Sequence, residues 1–268
     1  MTGNKYINGI AYNDYGGNNE PLIFIHAFPL SSRMWDRQVP FFVDKFRVIT
    51  YDLRGLGNSK QSDYFFFTME SYCDDLIMLM DSLNILKAHV CGLSIGGYII
   101  FRTFQKYPNR FLSLTLSNTK ADRDSNDGLI NRANMLKEVL SSGLEKLSKE
   151  FPRKLLSESG IQNDELLAEI EHTISSQDTK GVAGAILALA TRTDCTDMLD
   201  TINVPVQLIA GSEDKLTPPD SISELSEKIA LSAFSVINNA GHLTAVEQPD
   251  EFNRILSGFL SSLPEYQS

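Results

Sequence analysis

The alternation of short apolar runs with helical patterns is the feature that most constrains the fold of this chain. Four runs are apolar with little polar interruption and are rich in β-branched residues, as in strands buried on both faces. They lie at 21–28, 46–53, 88–93 and 111–117. Between them, residues 70–83 and 95–107 carry apolar side chains at helical spacing. This order predicts an α/β fold with a mostly parallel central sheet and helices on both faces.

The two ends of the chain extend this sheet. Residues 4–15 carry an Asn8-Gly9 turn signal between two short runs, which predicts an antiparallel hairpin at the sheet edge. Strand patterns return at 204–211 and 233–238, and a final helix is predicted over 249–262.

The middle of the chain changes character, because no strand pattern occurs between 122 and 194. Helical stretches are predicted instead at 129–151, 164–175 and 180–191. Insertions in open sheets tend to border the ligand crevice at the carboxyl ends of the strands. We therefore expect a helical cap at 122–195 over a core made of 1–121 and 196–268, with an extra structural layer as the alternative.

Composition narrows the function classes. The 268 residues include 24 Lys and Arg against 34 Asp and Glu, a net charge of −10 that disfavours nucleic acid as a partner. The three cysteines form no CxxC pair, and no Cys/His cluster has the spacing of a zinc site. No signal peptide is recognised at 1–20, and the apolar run at 181–191 is too short to span a membrane. We expect a cytoplasmic protein without a metal, and the oligomeric state stays open.

The sharpest local signal is the sequence Gly92-Leu93-Ser94-Ile95-Gly96. It lies where a predicted strand meets a predicted helix, and a G-x-S-x-G there forms a tight turn that exposes the serine hydroxyl. Glycine is required because a Cβ would collide with neighbouring backbone. Ser94 is therefore the candidate nucleophile.

A serine hydroxyl needs a base, and that base needs an acid to orient it. His242 follows the last predicted strand, at the sheet edge that carries Ser94. Asp214 follows the strand before it and gives the chain order Ser–Asp–His. Glu213 is the local rival, and Asp122 and Asp124 follow another strand at the same edge. His89 is expected to be structural and His172 to be solvated.

Acyl transfer also needs an oxyanion hole. The backbone N–H groups of Ile95, after the nucleophile, and of Phe28, in the loop after the strand at 21–26, are the candidate donors. We expect His26 to support that loop by hydrogen bonds.

Two further motifs are weaker signals. The run 52–59 (DLRGLGNS) contains GxG but lacks the further glycine of a dinucleotide fingerprint, so we interpret it as a structural turn. Trp35, in a helix near the oxyanion loop, is either a packing residue or a wall of the substrate site, and packing is favoured.

Together these residues resemble the α/β-hydrolase superfamily over essentially the whole chain. The matching landmarks are at 26–29, 52–59, 92–97, 211–214 and 241–242. Within it, the chain is most similar to 3-oxoadipate enol-lactonase and related esterases. The stretches that resemble that family are 21–35, 46–59, 90–97, 114–121 and 214–219. One departure is Ala27, where the family usually has glycine.

The resemblance implies an α/β-hydrolase fold, hydrolysis of a small carboxylic ester or lactone through an acyl-enzyme, and no cofactor. It implies Ser94, Asp214 and His242 as the triad, with Phe28 and Ile95 as oxyanion donors. General carboxylesterase, acyl-homoserine lactonase, C–C hydrolase and perhydrolase activities remain alternatives, as does a receptor with slow turnover. An enol-lactone carries a carboxylate, for which the candidate cationic residues are Arg123, Arg132 and Arg192, although a solvated role is favoured for each.

Overall fold

The computed structural model describes residues 5–17, 19–59 and 66–264. Eight strands form one sheet in the order β1-β2-β4-β3-β5-β6-β7-β8. These strands are Lys5–Ile7, Ile10–Asp14, Pro21–Ile25, Arg47–Tyr51, Ala88–Leu93, Phe111–Ser117, Val206–Gly211 and Ser232–Ile237. The first two strands pair antiparallel and β2 pairs antiparallel with β4, whereas every pairing from β4 to β8 is parallel. The predicted mostly parallel sheet is confirmed.

The helices of the described residues follow and separate these strands. Helices α1 to α12 are Val39–Phe42, Met69–Ser82, Ile95–Lys106, Asn126–Ser142, Glu145–Glu150, Pro152–Leu155, Glu158–Gln162, Asp164–Ser175, Thr179–Ala190, Pro219–Glu227, Thr244–Glu247 and Pro249–Ser261. Short 3-10 helices occur at Ser32–Trp35, Pro108–Arg110 and Thr196–Thr201. The sequence patterns predicted α2, α3, α8, α9 and α12 to within a few residues.

The edge hairpin formed by β1 and β2 is confirmed by the turn that joins them. Asn8 has φ of 49° and Gly9 has φ of 86°, and two successive positive φ values are the requirement of the hairpin turn that Asn-Gly favours. The register pairs Ile7 with Ile10. Residue 4, the first of the predicted hairpin, lies outside the described residues.

The central strands are buried on both faces, as their uninterrupted apolar runs predict. All six residues of β5 and all six of β7 are buried. Alternate residues of β3 meet opposite layers: the Phe24 ring packs against Trp35 and Phe42, whereas Ile25 contacts the start of α3 at Gly96. Helices therefore cover both faces of the sheet, and its carboxyl edge remains for a site.

A helical insertion separates β6 from β7. It contains α4 to α9 and the 3-10 helix at Thr196–Thr201. The helix predicted over 129–151 is wrong in its continuity, because α4 ends at Ser142 and α5 begins at Glu145. Gly143 keeps the helical hydrogen bond from its N–H to the Val139 carbonyl at 3.0 Å, but its φ of 72° and ψ of −157° turn the chain out of α4, and only glycine adopts such angles readily. The periodicity of apolar residues continues across the break and conceals it.

Within the described residues, no helix is long and apolar enough to cross a membrane. The same part of the chain holds no cluster of three or more His, Cys, Asp or Glu side chains suited to a metal ion. Cys73, Cys91 and Cys195 are unpaired and buried.

Candidate active site

Ser94 lies between the end of β5 and the first residue of α3. Its φ of 57° and ψ of −111° are unfavourable for a residue with a Cβ, and such backbone strain is typical of a nucleophile turn. Two bonds fix this conformation: the Ser94 N–H donates to the Ser117 carbonyl at 2.9 Å, and the Thr119 hydroxyl donates to the Ser94 carbonyl at 2.9 Å.

The glycines on either side of Ser94 permit the close approach of backbone that this turn requires. A Cβ on Gly92 would lie 2.5 Å from the Gly96 carbonyl carbon, and a Cβ on Gly96 would lie 2.6 Å from the Ile25 carbonyl oxygen. Side chains cannot be accommodated at these distances without moving the backbone. The structure thus gives the physical reason for the G-x-S-x-G spacing.

Asp214 and His242 meet at the same edge of the sheet. Asp214 follows β7 and His242 follows β8, and both are almost fully buried. His242 Nδ1 lies 2.8 Å from Asp214 Oδ2. An ionised carboxylate only accepts hydrogen bonds, so Nδ1 donates to it and Nε2 is left as the acceptor when the imidazole is neutral. This tautomer is the one that a general base for a hydroxyl requires.

Several donors surround the Asp214 carboxylate. Oδ1 accepts from the backbone N–H groups of Leu216 at 2.8 Å and Thr217 at 3.0 Å. Oδ2 accepts from the Thr217 hydroxyl at 2.5 Å and from Asn118 Nδ2 at 2.9 Å, in addition to His242. Burial by itself raises the pKa of Asp214, but the charge of His242 and these hydrogen bonds outweigh burial and lower the pKa to about 2. Asp214 therefore stays ionised through the neutral range.

Asn118 and Thr217 are site residues that the sequence analysis did not single out. Asn118 follows β6 with φ of 49°, and its Nδ2 also contacts the Gly241 carbonyl at 3.3 Å. Its Oδ1 accepts from the Thr244 hydroxyl at 2.6 Å and from the Ser117 hydroxyl at 2.7 Å. The sequence signal that could have identified Asn118 is its position directly after a strand, at the sheet edge that carries Asp214.

The rival carboxylates have other partners. Glu213 Oε2 accepts from the Glu158 N–H at 2.8 Å. Asp122 pairs with Lys120 at 3.0 Å, and Asp124 pairs with Arg132 at 3.1 Å. Only Asp214, of the acids considered from the sequence, has a hydrogen bond to His242 among the described residues.

One predicted oxyanion donor, Ile95, directly follows Ser94, and the other, Phe28, lies in the loop after β3. Ile95 is the first residue of α3, and Phe28 lines the same cavity as Ser94. In the part of the chain that the structure describes, neither backbone N–H donates to another protein group. Two unused backbone donors next to a nucleophile are what an oxyanion hole requires.

His26 supports the loop that carries Phe28, as expected. It is fully buried, its Nδ1 donates to the Ala27 carbonyl at 2.9 Å, and its Nε2 accepts from the Leu53 N–H at 2.8 Å. These two bonds tie the loop after β3 to the loop after β4.

The run 52–59 is a structural turn, as interpreted from the sequence. Asp52 accepts from the Ser32 N–H and from the Asn58 N–H, each at 2.7 Å. A Cβ on Gly57 would lie 2.4 Å from the Asp52 carboxylate, and Arg54 pairs with Asp75. These hydrogen bonds and this ion pair therefore hold the loop after β4 in place.

Trp35 lies in the core, as favoured from the sequence, and the alternative of a substrate wall is wrong because Trp35 does not line the cavity of Ser94. Its side chain is fully buried, with ring centroids 4.8 Å from Phe24 and 5.8 Å from Phe252. The 3-10 helix at Ser32–Trp35 thus packs the indole between β3 and α12, and Trp35 does not line the cavity of Ser94. The remaining histidines are as expected: His89 contacts Ser113 Oγ at 2.8 Å inside the sheet, and His172 is exposed.

Ser94 and His242 line one cavity of about 510 Å³. This volume is within the usual range for small-molecule sites, about 300–1,000 Å³. The core contributes Phe28, Tyr98 and Thr217, and the helical insertion contributes much of the remaining wall. The lining residues from the insertion include Asn131, Arg132, Met135, Leu147, Phe151, Leu155 and Leu189.

The cationic candidates occupy three different positions. Arg132 lines the cavity and pairs with Asp124. Arg192 is buried, lies 2.9 Å from Asp124 and stacks over the Tyr98 ring at 4.4 Å. Arg123 lies outside this cavity, in a surface depression with Asp194. Lys120, which the sequence analysis did not name as a candidate, also lines the cavity.

A mostly parallel sheet with a strained serine at the β5–α3 turn and an Asp–His pair after β7 and β8 defines a class of proteins. The family model described as the α/β hydrolase fold matches residues 20–249. The chain belongs to this family.

Named relatives narrow the comparison. The chain is 32% identical to 3-oxoadipate enol-lactonase 1 of Acinetobacter baylyi, over 92% of this chain and 91% of that protein. The malate-bound thermophilic esterase of Thermogutta terrifontis superposes with a TM-score of 0.90 at 35% identity, covering 94% of this chain and 93% of the esterase. The enol-lactonase of Burkholderia xenovorans LB400 superposes with a TM-score of 0.88 at 26% identity, covering 97% and 100%.

Proposed function

We propose that this protein is a serine hydrolase that opens a small carboxylic ester or lactone through an acyl-enzyme. The observation that carries the proposal is the buried Asp214–His242 hydrogen bond of 2.8 Å, beside a strained serine that lines the same cavity as the histidine. The named relatives, enol-lactonases and an esterase, support the same class of substrate.

The residues of the cavity perform the reaction in two halves. Ser94 Oγ attacks the carbonyl carbon while His242 Nε2 takes the hydroxyl proton, and the negative charge moves to the carbonyl oxygen. The bond to the leaving oxygen then breaks, and His242 returns the proton to that oxygen. In a lactone the leaving alcohol stays attached to the acyl group. Water, deprotonated by His242, then attacks the acyl carbon. The bond from that carbon to Ser94 Oγ breaks, His242 returns the proton to Oγ, and the acid leaves.

Electrostatic stabilisation comes from the loops around Ser94. The Phe28 and Ile95 N–H groups donate to the oxyanion, and loss of one such donor in related chemistry costs about 10²–10³ in rate. Asp214 stabilises the imidazolium that forms when His242 takes the proton. The insertion is proposed to act as a cap, since its side chains form much of the cavity wall.

The proposed substrate is 3-oxoadipate enol-lactone or a similar lactone that carries a carboxylate. Arg132 and Arg192 both pair with the carboxylate of Asp124. These three side chains therefore carry two positive charges and one negative charge. The cavity lining as a whole holds four cationic and three anionic side chains, which are Lys120, Arg132, Lys146 and Lys154 against Asp124, Glu138 and Glu150. Excess positive charge in a partly dehydrated cavity favours an anionic substrate.

Two variants test the substrate proposal. Each replaces an arginine by methionine, one inside the cavity and one outside it. Arg132→Met removes a cation from the cavity, whereas Arg123→Met removes one from outside it. We expect Arg132→Met to raise KM for the enol-lactone about tenfold, equivalent to about 1.4 kcal/mol, without changing hydrolysis of p-nitrophenyl acetate. Arg123→Met is expected to change neither. Equal effects of Arg132→Met on the anionic and the neutral substrate contradict a carboxylate-binding role.

The acyl-enzyme is tested by a burst experiment. With p-nitrophenyl acetate, one equivalent of nitrophenolate per protein is expected before the steady state if deacylation is slow, followed by many turnovers. A burst without turnover identifies a receptor-like protein. Turnover of the neutral ester without turnover of the enol-lactone identifies a general carboxylesterase.

A further inference from the structure

A carboxylate that the proposed reaction does not use joins the helical insertion to the loop of His242. Glu247, the last residue of α11, is mostly buried. Its Oε1 accepts from the Gly241 N–H at 2.8 Å, and its Oε2 accepts from the Ser157 N–H at 2.7 Å. Gly241 directly precedes His242, and Ser157 belongs to the insertion. One carboxylate thus bridges the two segments, with one oxygen for each.

The same two segments also touch directly. The backbone N–H of His242 donates to the Leu155 carbonyl at 2.6 Å. A Cβ on Gly241 would lie 2.6 Å from both the Leu156 carbonyl carbon and the Ser157 nitrogen. The insertion therefore lies against the backbone of the catalytic loop at the residue before the histidine, and only glycine permits this contact.

We propose that Glu247 is a positioning residue for His242, and this proposal rests on the proposed role of His242 as the general base. The carboxylate holds Gly241 against residues 155–157 of the insertion, which sets where the backbone of His242 lies relative to Ser94. Hydrogen bonds from backbone N–H to a carboxylate are stronger than those between neutral groups. Displacement of a catalytic group by about 1 Å can cost about 10² in rate.

A carboxylate is required at this position because both of its oxygens accept. In Glu247→Gln the side chain keeps its size, but its amide group has one acceptor oxygen and an NH₂ that faces an N–H donor. One of the two bonds must therefore be lost. The change leaves Ser94, His242 and Asp214 intact, and it replaces no side chain that lines their cavity.

The first test compares Glu247→Gln with Glu251→Gln, a carboxylate on neighbouring α12 that pairs only with Arg254 among the described residues. Hydrolysis of p-nitrophenyl acetate is measured on folded protein, with circular dichroism as the check. We expect Glu247→Gln to lower kcat about tenfold or more with little change in KM, and to shift or broaden the low-field proton resonance of the His242–Asp214 hydrogen bond. Glu251→Gln is expected to match the wild type. A folded Glu247→Gln protein with wild-type kcat and resonance overturns the proposal, even if its Tm falls.

The second test changes Ser157, the residue of the insertion that donates to Glu247. It tests the proposal even if Glu247→Gln does not fold. Ser157 has φ of −64° and Leu156 before it is extended, so the backbone angles at 157 suit proline. The proline ring would take the place of the N–H and displace the Glu247 carboxylate that accepts from it at 2.7 Å. Both Ser157→Pro and Ser157→Ala remove the hydroxyl, which caps α7 and also interacts with the Glu247 carboxylate. Only Ser157→Pro removes in addition the N–H that donates to Glu247. A lower kcat in Ser157→Pro than in Ser157→Ala supports the proposal, and equal kcat values overturn it.

Ser94→Ala separates the two proposals. Turnover that survives in Ser94→Ala defeats the proposed function. An inactive Ser94→Ala with a fully active Glu247→Gln defeats only the role of Glu247.

Discussion

The side chains of Asp214 and His242 meet at 2.8 Å although 28 residues separate them in the chain. Each lies on the loop that follows one of two adjacent parallel strands, so the sheet itself brings them together. Four other hydrogen bonds hold the carboxylate in place. The pair is therefore positioned by the fold before any substrate arrives, as electrostatic catalysis requires.

Removal of the negative charge of Asp214 is expected to impair catalysis far more than removal of the negative charge of Glu213. Asp214→Asn favours the wrong tautomer of His242 and no longer stabilises its cation, and we expect kcat to fall about 10⁴-fold, as in serine enzymes of this chemistry. Glu213→Gln, one residue earlier, is expected to keep wild-type kcat. Steady-state kinetics on p-nitrophenyl acetate measures both. An Asp214→Asn variant within a few-fold of the wild type would place the acid elsewhere, with Asp122 the next candidate.

Acid stability is expected to depend on Asp214. Its pKa is about 2 in the folded protein and about 4 in an unfolded chain. A carboxyl whose pKa is lower when folded stabilises the fold above its unfolded pKa, and this contribution is lost as the pH falls through the folded pKa. The difference in unfolding free energy between wild type and Asp214→Asn should shrink by about 2 kcal/mol between about pH 6 and pH 2. Denaturant titrations across that range measure it, and a difference that does not vary with pH contradicts the assignment.

Asn118 is expected to matter because it donates to Asp214. Asn118→Asp keeps the shape and sets a second carboxylate beside the first, and two carboxylates that share a site cannot both ionise easily. We expect kcat/KM to fall about tenfold or more at neutral pH and its acid limb to move to higher pH. Asn163→Asp, at the N-cap of α8, adds the same charge away from the site and serves as the control. Identical pH profiles for the two variants would remove Asn118 from the site.

The position of Trp35 predicts an effect on stability alone. Trp35→Phe leaves a void between Phe24 and Phe252, and we expect the free energy of unfolding to fall by about 1–3 kcal/mol. Hydrolysis of the enol-lactone and of p-nitrophenyl acetate should be unchanged, because the indole is fully buried in the core. A change in KM for only one of these two substrates would show instead that Trp35 contacts the substrate.

Most of the fold could be predicted because its signals are local. Strands buried on both faces give continuous apolar runs, as in β5 and β7, and Asn8-Gly9 specifies its own turn. The break at Gly143 could not be predicted from periodicity, since apolar residues continue at helical spacing on both sides. Helix α10, at Pro219–Glu227, was also missed, because a nine-residue helix gives a short pattern.

The candidate site was predictable where chemistry is tied to a strand end. Ser94, Asp214 and His242 each follow a strand and carry a residue type that few other positions at that edge offer. Asn118, Thr217 and Glu247 were missed for a different reason. Asparagine, threonine and glutamate are common in loops and helices. Asn118 lies 96 residues from Asp214, and Glu247 lies 90 residues from Ser157, so no local pattern connects them with these partners. Packing was favoured for Trp35, but the choice between core and substrate wall depended on the direction of one 3-10 turn, which the sequence does not specify.

Ser94 is proposed to be the nucleophile of an ester or lactone hydrolase. The most direct measurement is kcat/KM on 3-oxoadipate enol-lactone and on p-nitrophenyl acetate for the wild type, Ser94→Ala and the control Ser221→Ala, at an exposed position on α10. We predict a wild-type value of about 10⁴–10⁸ M⁻¹s⁻¹ on the preferred substrate, matched by Ser221→Ala, and a loss of about 10⁴-fold or more in Ser94→Ala. Folded Ser94→Ala protein with turnover near that of the wild type would contradict the account.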